Sequence, residues 1–78
     1  MKEIATRRLK DVLKRQFGFT RCNGGSTGHE TWVDRHGRRV HPVMRHKSIS
    51  IASVYCTGME LEAQGVCSRT EFMRKLRS

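Results

Sequence analysis

The stretch from Cys22 to His46 limits the possible folds most, because it places turn-forming residues at two points between short β-prone segments. A glycine-rich run at residues 24–28 makes the first break, and residues 34–37, which begin with Asp and end with Gly, make the second. Both compositions are typical of loops and hairpin turns. We therefore expect an antiparallel meander of three strands, over residues 19–23, 29–33 and 38–41.

A helix is expected before these strands. Apolar residues recur at helical spacing across residues 2–17, namely at Ala5, Leu9, Val12, Leu13 and Phe17. Gly18 is placed to end this helix, because glycine readily adopts the left-handed conformation found just past a helix. Thr6 could instead cap a later start and leave residues 1–5 as a leader, and the sequence leaves both alternatives open.

A second helix is expected after Pro42, which ends the third strand. Residues 43–47 are interpreted as a connecting loop, and Ser48 or Ser50 as the cap of the helix. The apolar side of this helix comprises Ile51, Val54, Tyr55, Gly58 and Leu61. A glycine within an apolar stripe indicates close packing.

A third helix follows the glycine that ends the second, Gly65, with Val66 positioned for an apolar contact back onto the last turn. Ser68 and Glu71 have the spacing of a capping box, and Phe72 and Leu76 lie four residues apart. The predicted order is αβββαα. The sequence thus predicts one α+β domain over residues 1–78, with a three-stranded antiparallel sheet and three helices.

The chain is short and strongly basic. Its 78 residues include 16 Lys and Arg against 7 Asp and Glu, for a net charge of +9. No acidic residue occurs between Asp34 and Glu60. A patch of one sign attracts a polyanion, most simply nucleic acid, although an acidic protein is the alternative. No signal peptide or membrane span is evident, so we expect a soluble cytoplasmic protein that does not engage a membrane.

Several kinds of chemistry are disfavoured by the motifs. The chain has no Walker-type lysine motif, no serine elbow and no paired carboxylates beside the glycine-rich run. Its three cysteines, Cys22, Cys56 and Cys67, lack the spacing of a zinc site or of a disulfide scaffold. We interpret them as reduced thiols, with Cys56 and Cys67 as small apolar fillers. No metal or cofactor is expected.

Among the four histidines, His29 has the setting best suited to catalysis. It follows glycines whose backbone N–H groups can point at an oxyanion, and it precedes a strand that can fix its ring. Imidazole titrates near neutrality and can exchange a proton with a ribose 2′-hydroxyl or a leaving 5′-oxygen. A structural role is the alternative. His36 is expected in an exposed turn, His41 on either face of its strand, and His46 on an anion-binding surface.

Basic side chains near this segment are candidates for binding phosphate. Arg38 and Arg39 can present bidentate donors to phosphate oxygens, or can simply be solvated at a hairpin end. The full candidate set for RNA or phosphate binding is Arg21, Gly25, Ser26, Thr27, Gly28, Arg38, Arg39, Arg45, His46 and Lys47.

Taken together, the chain resembles the HicA family of bacterial toxins. The resemblance comprises the first helix with residues 17–19, Arg21 before a Gly-Ser loop and a histidine, and an aromatic residue at Trp32. It continues through residues 37–40, Pro42 and His46 to residues 62–66 and 71–72. The family commonly places Ser directly before His, whereas Thr27 and Gly28 intervene here.

The resemblance implies a fold like the double-stranded-RNA-binding domain, with helices packed on one face of a three-stranded antiparallel sheet, and an mRNA interferase activity. It assigns the catalytic role to His29, with Gly25 and Ser26 in the preceding turn, and implies neutralisation by a HicB-like antitoxin. Two rival functions stay open. One is a non-catalytic module that binds RNA by its A-form shape, and the other is a basic adaptor that binds an acidic protein.

Overall fold

A computed structural model of this protein describes residues 3–22, 30–42, 44 and 46–77. The helices are α1 (Thr6–Phe17), α2 (Ile51–Ala63) and α3 (Arg69–Arg77). The strands are β1 (Glu3–Ala5), β2 (Thr20–Cys22), β3 (Thr31–Val33), β4 (Arg39–Val40) and β5 (Ser48–Ser50). None of the helices in these ranges has the length and apolar character that a membrane span requires.

The strands form two antiparallel sheets. The larger sheet has three strands in the order β2-β3-β4, and the smaller one pairs β1 with β5. The predicted α+β fold with a three-stranded antiparallel sheet is therefore confirmed. The predicted order αβββαα is wrong in one respect, because it lacks β1 and β5, which form a two-stranded ribbon between residues 3–5 and 48–50.

Helix α1 begins at Thr6, later than the start near residue 2 that the apolar spacing predicts, and Thr6 is not its cap. Ala5 occupies the capping position and its side chain forms no cap hydrogen bond. Thr6 is the first helical residue, and its buried hydroxyl donates to the carbonyl oxygens of His46 and Lys47 at 3.0 and 3.1 Å. The helix ends as predicted at Gly18, whose φ of 71° is left-handed.

The described residues before α1, residues 3–5, form a strand and not the predicted helix or leader. Ile4 lies opposite Ile49, and Glu3 and Ala5 lie opposite Ser50 and Ser48. Ile49 is buried and Ile4 packs against the same core, so the ribbon contributes one apolar side to the interior. Residues 48–50, which include both predicted helix caps, Ser48 and Ser50, are thus a strand that leads directly into α2.

The three-stranded sheet has the predicted strand order with shorter strands. Trp32 lies opposite Arg21 on one side and Val40 on the other. Trp32 and Val40 point to the same side, where both are buried with the helix residues of the core. The predicted ends of strands at residues 23 and 29 lie outside the described residues. The turn at residues 34–37 is confirmed, with Gly37 at a φ of 82°.

Helices α2 and α3 pack closely at a glycine. A Cβ placed on Gly58 would lie 3.1 Å from Cδ2 of the buried Phe72, which confirms the close packing predicted there. Tyr55 was predicted on the apolar side of α2 but is 44% exposed. The buried stripe is centred on Val54, Thr57, Gly58 and Leu61, so Tyr55 falls beside it.

The predicted helix ends are confirmed by their hydrogen bonds. Ser50 caps α2, because its hydroxyl accepts a bond from the Ser53 N–H, whereas Ser48 donates its hydroxyl to Glu3. Gly65 follows α2 with a φ of 78°. Ser68 precedes α3 and accepts a bond from the Glu71 N–H at 3.1 Å.

The cysteines are free thiols in the structure. Cys67 is half-buried and packs against the core, in agreement with its predicted filler role. Burial, followed by the carboxylates of Glu71 and Glu62, raises the pKa of its thiol to about 11. Cys56 was also predicted to be a filler but is exposed on α2, so that prediction is wrong.

Candidate nucleic-acid interface

The glycine-rich segment begins and ends on neighbouring strands. Cys22, the last residue of β2, lies opposite Thr31 of β3. Glu30 is fixed at the return point, because its N–H donates to the Pro42 carbonyl at 3.1 Å. The candidate residues Gly25, Ser26, Thr27, Gly28 and His29 lie between these anchors and outside the described residues. The sheet therefore holds both attachment points of the segment close together.

Arg21 projects beside this attachment point. Its side chain is 59% exposed, and its Nε lies 3.8 Å from Glu30 Oε1. The same carboxylate oxygen accepts a hydrogen bond from the indole N–H of Trp32 at 3.1 Å. An exposed ion pair at this separation contributes little, so the positive charge of Arg21 is available to an anion at the surface.

Arg38 is engaged by a carboxylate within its own turn. Asp34 is buried, and its Oδ2 accepts a hydrogen bond from Arg38 Nε at 2.7 Å. Its Oδ1 accepts bonds from the N–H groups of His36 and Arg38 at 3.0 and 2.9 Å. This turn closes the end of the sheet opposite to residues 23–29. Phosphate binding by Arg38 therefore has to compete with an intramolecular partner.

The carboxyl group of Asp34 is stabilised in its charged form. Burial acts to raise its pKa. This effect is outweighed by the hydrogen bonds from the backbone and guanidinium of Arg38 and from the His36 N–H, and by the positive charge of Arg38. Together they lower the pKa below its usual value. The charged carboxylate of Asp34 thus stabilises the turn at residues 34–37.

The outer edge of β4 is covered by two side chains, Glu60 on α2 and Gln64, the residue that follows α2. The Gln64 amide accepts a bond from the Arg39 N–H at 2.8 Å and donates to the Arg39 carbonyl. Glu60 accepts a bond from the His41 N–H at 3.0 Å. These side chains satisfy backbone groups that a neighbouring strand would otherwise bind. The side chain of Arg39 is exposed and can reach an external anion.

His41 is a residue whose surroundings sequence reasoning did not foresee. Val40 is buried, so the alternation of a strand places His41 on the opposite face of the sheet. The ring is 52% exposed, and its Nδ1 lies 3.1 Å from Glu60 Oε2. Strand alternation could have predicted the face once Val40 was assigned to the core, but the contact with Glu60 joins residues far apart in the sequence.

The candidates after Pro42 belong to a different part of the molecule. His46 and Lys47 are exposed, and their carbonyl groups receive hydrogen bonds from Thr6 at the start of α1. They precede β5 in the smaller sheet, whereas Arg21 and Arg39 lie on the larger one. Arg45 lies outside the described residues. The structure therefore places the described members of the predicted phosphate-binding set in two groups, one on the larger sheet and one beside the smaller sheet.

His36 is exposed in its turn, as predicted. Its backbone N–H binds Asp34 and helps to shape the hairpin. Nothing else in the described surroundings of its ring favours a chemical role. His36 is therefore a suitable reference histidine for experiments on His29.

The positive charge of the surface is only slightly neutralised. Among the described residues, the arginines in ion pairs are Arg21, Arg38 and Arg69. Most of the other arginines in the described ranges are exposed and form no ion pair with another described residue, namely Arg7, Arg15, Arg35, Arg39, Arg74 and Arg77. Such a surface attracts polyanions over about 10 Å at moderate ionic strength.

The described residues contain no group of three His, Cys, Asp or Glu side chains that could hold a metal ion. Comparison of the chain with protein-family models, with curated proteins and with solved structures finds no match in any of the three.

Proposed function

We propose that this protein is an RNA endonuclease of the HicA type, with a domain like the double-stranded-RNA-binding domain over residues 1–78 and with His29 as its catalytic residue. The observation that carries the proposal is the pairing of Cys22 with Thr31, which brings both attachment points of the glycine-rich segment together. The exposed cation of Arg21 lies at the same place. The sequence resemblance supplies the assignment of His29.

The proposed reaction is a transesterification within the RNA strand. A base removes the proton from a ribose 2′-hydroxyl, and the resulting oxygen attacks the adjacent phosphorus. The bond to the 5′-oxygen breaks, and that oxygen leaves with a proton. The products are a 2′,3′-cyclic phosphate and a 5′-hydroxyl. His29 exchanges one of these protons, which is work that imidazole performs without a metal ion.

The surrounding residues hold the RNA in this proposal. Gly25, Ser26, Thr27 and Gly28 position the phosphate that reacts, because backbone N–H groups of glycine-rich loops bind oxyanions. Arg21 lies nearest along the chain to this segment and offsets charge that develops on the phosphate. Additional electrostatic attraction comes from Arg39, Arg45, His46 and Lys47. Arg38 contributes less, because Asp34 already binds its guanidinium.

In the cell, such an activity would cleave mRNA and arrest translation and growth. A cytoplasmic toxin of this kind requires a partner that neutralises it, and we propose a HicB-like antitoxin protein in this role. A small neighbouring gene that encodes an acidic protein is the genetic arrangement expected from the proposal.

The first test is incubation of the purified protein with a fluorescently labelled mRNA fragment in EDTA. The proposal predicts cleavage products with 2′,3′-cyclic phosphate ends, detected because their 3′ ends resist ligation until the cyclic phosphate is opened and the terminal phosphate is removed. Salt-sensitive RNA binding without products would favour the non-catalytic RNA-binding module instead. Absence of RNA binding at low salt would favour the basic adaptor.

A further inference from the structure

Helix α2 exposes two large hydrophobic side chains on one side. Tyr55 is 44% exposed and Met59 is 49% exposed, and they are the exposed large hydrophobic residues of the described part of the chain. Residues four apart on a helix are surface neighbours, so these two form one patch. Exposed apolar patches on small proteins commonly mark interaction sites.

A groove lies beside this patch, between α2 and α3. It has a volume of about 430 Å³. Its lining residues are Tyr55, Arg69, Thr70, Met73, Arg74 and Arg77. On α3, residues 70, 73, 74 and 77 recur at helical spacing, so they form one continuous wall. We call this surface, together with Met59, the Tyr55 groove.

The aromatic side of the Tyr55 groove is held in place before any partner binds. The guanidinium of Arg69 lies over the Tyr55 ring, 5.2 Å from its centroid. Arg69 Nη1 donates to the Tyr55 hydroxyl at 2.7 Å, and its Nε lies 3.0 Å from Glu62 Oε1. A side chain that is already ordered loses less conformational entropy on binding.

The remaining charge of the groove is positive. The Glu62 carboxylate at its border is occupied by Arg69. Arg74 and Arg77 form no ion pair with any residue in the described ranges, and Arg74 and Arg77 are exposed. An occupant that carries carboxylates is therefore complementary to this wall.

The composition favours a protein over a nucleic acid. Tyrosine, methionine and arginine are the residue types enriched at the centres of protein–protein interfaces, and tyrosine and arginine dominate their binding energy. Met59 and Met73 offer apolar contact to an aliphatic or aromatic anchor, which a phosphate backbone does not supply. The groove is also built from α2 and α3, whereas the proposed RNA site lies at the end of β2 and β3.

We propose that the Tyr55 groove is a docking site for an acidic, amphipathic segment of another protein. An apolar side chain of that segment packs against Tyr55, Met59 and Met73, and its carboxylates bind Arg74 and Arg77. This site is independent of RNA cleavage, because it contains none of the residues assigned to that reaction.

The test is selection of a phage-displayed library of random 12-residue peptides on the intact chain. We expect enriched peptides that combine Asp or Glu with an aromatic or aliphatic residue. Fluorescence anisotropy of one such peptide should show binding at least tenfold weaker to Arg74→Glu and to Tyr55→Ser. Arg35→Glu provides the matched charge reversal, because Arg35 is exposed in the β3–β4 turn, and it should change the affinity less than threefold.

Thermal unfolding of each variant establishes that it is folded, and Tyr55→Ser supplies a change without charge reversal. Failure to enrich acidic peptides would overturn the proposal, and so would equal binding to Arg74→Glu and Arg35→Glu. Displacement of a bound peptide from the groove by single-stranded RNA would also overturn it in favour of a nucleic-acid site. None of these outcomes depends on whether the protein cleaves RNA.

Discussion

The contact between Asp34 and Arg38 changes the role that can be assigned to Arg38. As a member of a basic pair, Arg38 is a candidate for phosphate binding. In the structure Arg38 binds Asp34, whose carboxylate also accepts hydrogen bonds from two backbone N–H groups of the turn. The adjacent Arg39 has an exposed side chain. Two neighbouring arginines are therefore expected to behave differently in binding and in stability.

The lowered pKa of Asp34 makes the stability of the turn dependent on pH. A carboxyl group whose pKa is lower in the folded state stabilises that state fully above its ordinary value of 3.8, and this contribution disappears as the pH falls through the folded value. Asp34→Asn should therefore lower the free energy of unfolding at pH 7. The difference from the wild type should shrink below about pH 3.8.

Urea unfolding at pH 7 and at pH 3 measures this difference. Asp11→Asn is the control, because Asp11 is exposed on α1, and it should cost little at either pH. A loss of stability in Asp34→Asn that is equally large at both pH values would contradict the role given to the charge.

At the scale of elements, α2 and the residue that follows it, Gln64, support the sheet through side chains as well as through the core. Gln64 binds both backbone groups of Arg39, and Glu60 binds the N–H of His41. The Gln64→Ala variant removes the hydrogen bonds between the Gln64 side chain and the backbone of Arg39. We expect a loss of stability of about 0.5 to 1.5 kcal/mol, typical of a hydrogen bond. The amide of Arg39 should exchange its hydrogen roughly two to ten times faster.

Hydrogen exchange followed by NMR checks this expectation residue by residue. Gln16→Ala is the matched control, because Gln16 is exposed on α1 and contacts Lys75. It should leave the exchange of Arg39 unchanged. If Arg39 is equally protected in Gln64→Ala, the edge of β4 does not depend on the Gln64 side chain.

The sequence was informative where structure depends on nearby residues. Gly18, Gly37 and Gly65 have left-handed backbone conformations at the predicted breaks. Ser50 and Ser68 cap their helices as predicted. These features follow from local backbone geometry, which a few residues determine.

Contacts between distant segments were not predictable in the same way. The β1–β5 ribbon joins segments of three residues each, too short to show an alternating pattern, across more than forty positions. The hydrogen bonds from Thr6 to residues 46 and 47 span 40 and 41 positions, and the contact of His41 with Glu60 spans 19, so no local pattern predicts them. For the candidate site, the sequence predicted Arg21, Arg38 and Arg39 alike as phosphate-binding residues. Only the structure shows that the guanidinium of Arg38 already binds Asp34.

At the scale of the whole molecule, the net charge of +9 determines how RNA should bind. Each phosphate contact releases counterions, so the logarithm of the binding constant falls with the logarithm of salt concentration by about 0.7 per contact for a single strand. Arg39→Ala should lower the magnitude of this slope by about 0.7. Arg38→Ala should leave the slope nearly unchanged and should instead destabilise the turn, because its charge is already paired.

Anisotropy titrations of labelled RNA at several salt concentrations distinguish the two arginines. Thermal unfolding of the same variants provides the stability comparison. Equal slopes for the wild type and Arg39→Ala, or a larger change in Arg38→Ala, would contradict the assignment of Arg39 as the phosphate contact.

The central claim is that His29 transfers a proton during RNA cleavage. Its most direct test is the single-turnover rate of RNA cleavage in EDTA by the wild type, His29→Ala and His36→Ala, each verified as folded by circular dichroism. General acid–base catalysis by one side chain contributes about 100-fold to 10,000-fold in rate. We expect a loss of that size in His29→Ala and a wild-type rate in His36→Ala. Cleavage by folded His29→Ala at the wild-type rate would contradict the claim.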